Sequence, residues 1–339
     1  MRRIIILVAI TLFAVGTVFA DEAVLIDFSK LVADIVSNDD GVPTQNRATA
    51  MDFSNVAGAS FTSAQKEVMK TSLAIENWEV QLAVSSRTIQ NEVLSYTREA
   101  PSKQWETVLG VRVHFPLESV NSWARVKPPF EIPAFEPPAD IDDDGNIQPA
   151  EDSNGITGPS RFEEGFGVVK NVGTLKAVAV NAYGLNFPHT LSAILIDHQG
   201  NERVVRMGTM NYDGWGELRW ENPAYITEVR NRELRLYPIY PDSTPFVKFA
   251  GFLVQRDASH KGGDFIGYFK DVKIIYDKAV LETDRDVEDE SLWNIIRDRE
   301  TNKRNYEMQQ FGQQQVLRYL EVQKQATETQ FTPTPANDQ

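Results

Sequence analysis

Cysteine is absent from this chain of 339 residues. Without it there can be no disulfide, no thiol nucleophile and no zinc–thiolate site. The fold must therefore depend on its hydrophobic core. A chain of this length can supply one, either as a single large β domain or as two smaller ones.

Positive charge is also scarce, with 34 Lys and Arg against 48 Asp and Glu and a formal net charge of −14. Such a chain repels phosphate groups. Binding of nucleic acid or anionic lipid through bulk electrostatics is therefore excluded, and the sequence predicts no nucleic-acid partner.

Catalytic motifs are missing as well: there is no P-loop, no G-x-S-x-G, no H-E-x-x-H and no complete G-x-G-x-x-G. The four histidines are not spaced as metal ligands and are typical of surface or hydrogen-bonded structural positions: His114, His189, His198 and His260. A carboxylate pair for glycoside hydrolysis cannot be singled out among 48 acidic residues. The sequence predicts a protein that is not an enzyme and requires no cofactor.

Only the N-terminus carries a long apolar run. Arg2 and Arg3 precede the apolar segment Ile4–Val18, and Val18-Phe19-Ala20 forms a small-x-small cleavage site. The run is shorter than the roughly 20 residues that a membrane span needs. We therefore expect residues 1–20 to be a cleaved signal peptide, with an exported, periplasmic mature chain that has no membrane span.

Alternation of apolar and polar residues dominates residues 21–282. Trp78, Val80, Leu82 and Val84 follow a period of two, and Val111, Val113 and Phe115 share one face of a second strand. Ala23–Leu31 reads as a strand running into a short helix, and Ser63–Ser72 as a short helix. Further strands are predicted at Val120–Val126, Val168–Val169, Ala177–Tyr183, Ser192–Asp197, Arg203–Met207, Leu218–Trp220, Tyr225–Val229, Glu233–Tyr237, Val247–Val254 and Ile266–Ile275.

Turn signals separate these strands, at residues 198–201, at Asp213-Gly214 and at residues 261–263. Short strands with almost no helix between them predict a mainly β fold, an antiparallel, jelly-roll-like β-sandwich over residues 21–282.

A long connection at residues 127–160 interrupts the strands. From residue 128 onward it holds seven of the 17 prolines, eight carboxylates and no Lys or Arg. Proline excludes both a helix and a central strand here. Connections of this length are usually functional or disordered.

Within this connection, residues 140–151 have the ligand spacing of a twelve-residue calcium loop. The candidate ligands are Asp140, Asp142, Asp144, Asn146 and Glu151, with Gly145 at the sixth position. The surrounding prolines deny the loop the flanking helices of an EF-hand. A free-standing calcium site and a plain solvated acidic loop both remain open.

The C-terminal part changes character again. Residues 283–326 predict a largely polar helical extension with a thin apolar stripe, and residues 327–339 predict a disordered tail. The stripe can dock on its own sandwich or on a neighbouring molecule.

Four aromatic residues suggest a further possibility: Trp123, Trp215, Trp220 and Tyr225. On alternating strands they are core residues, whereas exposed on a sandwich they can stack sugar rings. The second case would make the chain a periplasmic carbohydrate-binding module, which is the alternative function.

Several segments, in the correct order, resemble the spirochaete flagellar filament outer-layer (sheath) protein family, FlaA. They are Ser72–Trp78, Val120–Ala124, Lys127–Pro133, Val169–Gly173, Asp213–Trp215, Glu228–Pro238, Gly263–Gly267 and Lys270–Asp277. The resemblance implies an exported structural protein without catalytic residues, which coats the flagellin-like core of the periplasmic flagellum and so affects filament stiffness, shape and motility.

A coat subunit needs different contact patches on different sides, for core subunits and for neighbouring sheath subunits. The Pro-rich arm at 127–139 and the helical extension are the candidate contact segments. The predicted interface residues are Phe130, Ile132, Phe135, Leu292, Ile296 and Phe311.

Overall fold

The computed structural model describes residues 20–32, 49, 51–53, 61–134, 140–141, 147–148, 162–225, 236–238, 244–260, 262–282 and 286–328. Among them, no helix combines the length and the apolar character that crossing a membrane requires.

Two antiparallel sheets of six strands each form a β-sandwich. The first sheet contains β1 (Asp21–Asp27), β5 (Tyr96–Pro101), β6 (Thr107–His114), β11 (Val172–Leu185), β14 (Asp213–Glu221) and β17 (Asp264–Lys278). The second contains β4 (Glu79–Leu82), β7 (Ser122–Lys127), β10 (Val168–Lys170), β12 (Thr190–Asp197), β13 (Glu202–Thr209) and β16 (Phe246–Arg256). The predicted fold class is confirmed: the two sheets of the described residues pack as one β-sandwich.

The remaining described elements are short, except for the last helix. Three two-stranded pairs are formed by β2 (Met51–Asp52) with β3 (Lys70–Thr71), β8 (Asp140–Ile141) with β9 (Ile147–Gln148), and β15 (Leu236–Pro238) with β18 (Val280–Glu282). The α-helices are α1 (Ser63–Glu67), α2 (Ile89–Val93), α3 (Asp289–Trp293) and α4 (Ile295–Glu328), and 3-10 turns occur at Phe28–Lys30, Ile75–Asn77 and Val84–Ser86.

Two long strands organise the sheets. In the first sheet, β17 pairs with β11 along one edge, and its other edge pairs first with β6 and then with β1. In the second sheet, β16 pairs with β12 on one edge and with β7 and β10 on the other. Along one edge, each of these long strands pairs with two shorter strands that follow one another. Each sheet therefore has six strands but is only five strands wide.

Aromatic side chains fill the space between the sheets. Phe252 of β16 stacks on Phe269 of β17 with ring centroids 4.5 Å apart. Phe28 meets Phe252 at 6.0 Å and Trp78 at 5.4 Å. The indole N–H of Trp78 donates to the carbonyl of Leu73 at 2.9 Å, so this large side chain is buried without an unpaired polar atom.

Burial along the strands shows which faces are covered. Outer strand β14 alternates between exposed and partly covered residues, as a strand with one face in water does. In contrast, β12 is buried without a break from Leu191 to Leu195, and β16 from Phe246 to Phe252. The second sheet is therefore covered on both faces at its centre.

The structure differs from the sequence prediction in three local details. The strand at residues 78–84 ends at Leu82, because the chain turns into the 3-10 segment that leaves Val84 90% exposed. The predicted turn at Asp213-Gly214 lies inside β14, where Gly214 at φ +99° pairs with Gly184. The helix predicted over Ser63–Ser72 ends at Glu67 and is followed by β3.

Two of the predicted strands lie partly or largely outside the described residues. Of Tyr225–Val229 only Tyr225 is described, and of Glu233–Tyr237 only the part within β15. The other predicted strands of residues 161–276 are confirmed, and Asp197 and Asn201 close the predicted hairpin turn between β12 and β13.

His189 is buried at the loop end of the sandwich where β12 begins. Its ring stacks on Phe115 at 5.3 Å and lies 5.1 Å from the ring of Phe265. Neither ring nitrogen has a hydrogen-bond partner among the described residues. Burial, and then the positive charges of His260 and Arg256, lower the pKa of His189 from 6.5 to about 4.

This histidine makes folding stability depend on pH. The unfolded chain takes up the proton near pH 6.5, whereas the folded chain resists it down to about pH 4. We therefore expect His189 to remove roughly 3 kcal/mol from the unfolding free energy as the pH falls through this window. Chemical denaturation between pH 4 and 7 measures the effect.

The matched variants are His189→Leu and His198→Leu, the latter at the β12–β13 turn. His189→Leu should flatten the pH dependence in this window, and His198→Leu should leave it as in the wild type. Equal slopes for wild type and His189→Leu would rule out this origin.

Candidate functional site

Helix α4 is anchored to the sandwich by four phenylalanines, which we call the aromatic clamp: Phe53, Phe130, Phe162 and Phe311. Phe311 of α4 lies 4.1 Å from Phe53 and 6.5 Å from Phe130, measured between ring centroids. Phe130 in turn meets Phe162 edge-on at 6.2 Å. In proteins most helical stability comes from the packing of an apolar face, so for this mostly polar helix the apolar contact is what holds it in place.

An ion-pair group fixes the helix a little further along. Arg318 of α4 donates through both terminal nitrogens to the carboxylate of Glu79 at the start of β4, and Lys127 lies 3.4 Å from the same carboxylate. Burial by itself would raise the pKa of Glu79, but the hydrogen bonds and charges of Arg318 and Lys127 outweigh it and lower that pKa. These side chains are partly exposed, so the group orients the helix more than it stabilises it.

The Pro-rich arm forms part of the surface of the sandwich on which α4 packs. Between Pro128 and Ala134 it buries Phe130 and Ile132, and Glu131 accepts a hydrogen bond from the ammonium of Lys248 at 2.9 Å. Ile132 packs directly on Gly167, whose φ of +110° and lack of a side chain make room for it. The arm is thus part of the core in this stretch.

The predicted interface residues fall into two groups. Phe130, Ile132 and Phe311 stay predicted interface residues, although all three are buried within their own chain. The physical reason is that the arm and the helix satisfy each other's apolar side chains. The helix docks on its own sandwich, which is the alternative that the sequence left open.

The other three predicted interface residues are not buried in the core of the described structure. Leu292 is 65% exposed on α3 and Ile296 is partly covered, so both stay available for contacts. Phe135 lies outside the described residues.

Exposed apolar side chains form two groups, and of their members the sequence predicted only Leu292 as a contact residue. The helix-end surface consists of Val287, Leu292, Trp293 and Ile295, with Trp293 68% exposed. The loop-end surface consists of Val84, Ile89, Val93 and Leu117, all more than two-thirds exposed. The adjacent pair Leu292-Trp293 in an otherwise polar segment is a sequence signal for the helix-end surface. The loop-end residues carry no such signal, because their local pattern is that of strand or core positions.

These surfaces belong to opposite ends of the sandwich. The loop-end surface is formed where β4 ends and β7 begins. The helix-end surface leads into α4, and the ammonium of Lys303 on α4 lies beside Gly200 in the β12–β13 turn, which is at the opposite end of the strands from Leu82. Clustered exposed apolar residues mark interaction sites more often than scattered ones do.

The aromatic residues considered for sugar stacking do not form one platform. Trp215 packs edge-on against Tyr183 at 5.4 Å, and Tyr225 donates to the carboxylate of Asp277 at 3.0 Å. Trp220 packs partly buried against the core. Trp123 is 41% exposed, but it lies on the second sheet, whereas Trp215 and Trp220 lie on the first.

Of the acidic loop at residues 140–151, only Asp140–Ile141 and Ile147–Gln148 are described. They form β8 and β9, so the described part is a short antiparallel strand pair within the loop itself. Asp142, Asp144, Asn146 and Glu151 lie outside the described residues, and the calcium site stays a prediction. Within the described part of the chain, no three His, Asp or Glu side chains are grouped to hold a metal ion.

The histidines are dispersed over the structure. His114 shares the carboxylate of Asp264 with Arg112, at 3.0 Å and 3.1 Å, across the β6–β17 pair. The hydrogen bond with His114 is the main reason that the pKa of Asp264 is lowered. This partly exposed group ties two neighbouring strands together at the sandwich edge.

Sequence comparison identifies the family. The profile described as "Flagellar filament outer layer protein Flaa" matches residues 43–285. The chain belongs to this family. The resemblance drawn from the sequence is therefore confirmed.

Curated relatives agree over nearly the full length. Two proteins named flagellar filament outer layer protein are 50% identical in Treponema pallidum (strain Nichols) and 44% identical in Spirochaeta aurantia, and each alignment covers 98% of this chain. The two alignments cover 97% and 95% of the length of those relatives, respectively. A third, in Borreliella burgdorferi, is 30% identical over 80% of this chain and 73% of its own length.

Solved structures give only a distant likeness. A family 11 carbohydrate-binding module from Clostridium thermocellum is 8% identical, with a TM-score of 0.27 over 61% of this chain and 91% of its own. A score this low supports no argument about fold or function.

The aromatic clamp generates a testable expectation. Phe311→Ala should cost about 3 kcal/mol in the docking of α4, because a buried aromatic ring is lost. We expect faster amide hydrogen exchange throughout residues 303–318, with the central strands β16 and β17 keeping their protection. The control is Tyr306→Ala, since Tyr306 is exposed on the same helix. Unchanged exchange in Phe311→Ala would contradict the clamp.

Proposed function

We propose that this chain is a structural subunit of the outer layer of a periplasmic flagellar filament, lying over a flagellin-like core and contacting neighbouring sheath subunits. Membership of the outer-layer family over most of the chain is the observation that carries this proposal. The expected signal peptide at residues 1–20 supplies the route of export.

The shape of the subunit supports a coat. The helix-end and loop-end surfaces differ in their residues and lie at opposite ends of the strands. Two different patches on opposite sides allow head-to-tail contacts, which build open arrays rather than closed dimers. The stacked aromatic core and two continuous sheets make each subunit a stiff unit within such an array.

The mechanical role follows from this arrangement. A layer of stiff subunits, joined to each other and to the core, resists bending more than the core alone. We infer that the layer increases filament diameter and stiffness and changes the helical shape of the filament, and motility with it. The acidic net charge of −14 keeps free subunits apart before assembly.

The helix-end surface can be tested by substitution. We expect Leu292→Ser with Trp293→Ser to reduce co-sedimentation of the protein with purified filaments at least fivefold, because most of that apolar contact area is lost. The matched control is Val204→Ser, a half-exposed apolar residue on β13 away from both ends. Circular dichroism should show both proteins folded. Equal co-sedimentation of the double variant and the wild type would remove this surface from the assembly.

The mechanical role is tested in cells. Deletion of the gene should leave filaments assembled but thinner and altered in curvature, as measured by electron microscopy of isolated filaments. The control is the same strain complemented with the wild-type gene. Filaments of normal diameter and curvature in the deletion strain would contradict the proposal.

A further inference from the structure

A cavity of about 300 Å³ lies between the second sheet, the Pro-rich arm and helix α4. The aromatic clamp residues Phe53, Phe130 and Phe311 form its apolar side, together with Met308 of α4. The opposite side is lined by charged residues of the sheet. The volume lies at the lower end of the range for small-molecule sites.

One wall of the cavity is an ion pair that spans two strands. Arg125 of β7 donates to Glu202 of β13 at 2.7 Å, although β16 and β12 lie between those strands. The pair therefore passes over the outer face of the sheet. The Nε–H of Arg125 is buried and has no acceptor among the described residues.

A buried lysine forms part of the cavity lining. Lys248 of β16 is only 3% exposed, and its ammonium donates to Glu131 at 2.9 Å. It also lies over the ring of Phe246. An ammonium has three N–H donors, so two of them have no acceptor among the described residues. Leaving such donors unpaired in a buried site is costly.

Helix α4 adds a carboxylate to the polar groups that line the cavity. Glu307 of α4 lines the same cavity, and its ion-pair partner on the helix, Lys303, is 3.7 Å away. Burial, and then the negative charge of Glu131, raise the pKa of Glu307. Gln310 and Gln314, one turn apart on α4, add amide donors and acceptors to the rim.

The charges around the cavity cancel. Three cations, Arg125, Lys127 and Lys248, are matched by three carboxylates, Glu131, Glu202 and Glu307. A charged ligand of either sign would meet like charges as well as opposite ones. A purely apolar ligand would leave the donors unpaired. The lining suits a neutral molecule with many hydroxyl groups and an apolar face.

We propose that this cavity binds a neutral saccharide, whose C–H face packs on the aromatic clamp and whose hydroxyl groups pair with Arg125, Lys248 and Glu307. Such rings occur both in cell-wall glycan strands and in glycans attached to proteins. This site is separate from the two end surfaces, and its failure would leave the proposed sheath function standing.

Isothermal titration calorimetry with four tetrasaccharides tests the proposal. Chitotetraose and cellotetraose are neutral probes with and without N-acetyl groups, so their order of affinity distinguishes an N-acetylhexosamine strand from a plain hexose glycan. The fully deacetylated chitosan tetramer is cationic, and a galacturonic acid tetramer is anionic. We expect saturable millimolar or tighter binding of at least one neutral probe and at least tenfold weaker binding of both charged ones.

Variants place the site. Arg125→Met should weaken binding of the neutral probe about tenfold, since one hydrogen bond to a charged group is lost. Gln310→Ala with Gln314→Ala should weaken it at least threefold. The matched control, Gln309→Ala with Gln313→Ala, changes exposed glutamines of the same helix that do not line the cavity and should bind as the wild type does.

Three results would overturn the proposal: no saturable binding of either neutral probe at millimolar concentration, preferential binding of a charged probe, or equal binding by the wild type and the cavity variants. The last would place any saccharide site elsewhere, for example at Trp123. The glutamine variant changes only exposed side chains at the rim. It therefore still tests the site if Arg125→Met does not fold.

Discussion

The stacking of Phe252 on Phe269 is the contact on which the rest of the structure depends. These residues belong to β16 and β17, the two strands that each pair with three others. Because both strands hold shorter neighbours end to end, fixing one against the other fixes the relative position of the two sheets. A cysteine-free chain has no covalent alternative, so this apolar contact and its aromatic neighbours carry the stability of the sandwich.

The centre of the second sheet is covered on its outer face as well as on its inner face, and Leu191–Leu195 and Phe246–Phe252 are buried without a break. The arm and α4 supply the cover by inserting Phe130 and Phe311. The half-exposed ion pair of Arg318 with Glu79 then sets the direction in which the helix leaves.

The strands could be predicted from the sequence because apolar and polar residues alternate along a strand that has one buried face. Val111, Val113 and Phe115 were assigned to one face, and all three are buried. The same alternation predicted a covered position for Val84, which is exposed. Periodicity cannot show at which residue the chain leaves the sheet. Strand existence was therefore easier to predict than strand ends.

The candidate contact residues were harder to predict for a different reason. Phe130 and Phe311 lie among prolines or polar residues, where a lone aromatic resembles a surface anchor. They are core residues because two segments about 180 positions apart meet, and no local pattern reports that meeting. In contrast, Leu292 stayed exposed, because no described segment packs over α3. The burial of His189 was likewise unpredictable, since its environment comes from three separate loops and strands.

Helix α4 connects the features of this chain for which we propose contacts with other molecules. Its N-terminal end leads back to the helix-end surface, its middle closes the cavity through Met308 and Phe311, and its later part is fixed at Arg318. A change in docking at Phe311 would therefore alter the cavity wall and the direction of the helix-end surface together. Saccharide in the cavity would reinforce the docked position, since it binds only when the helix is in place. The two end surfaces remain free in that state, so ligand binding and head-to-tail contact are compatible, and the helix is the element through which one can strengthen the other.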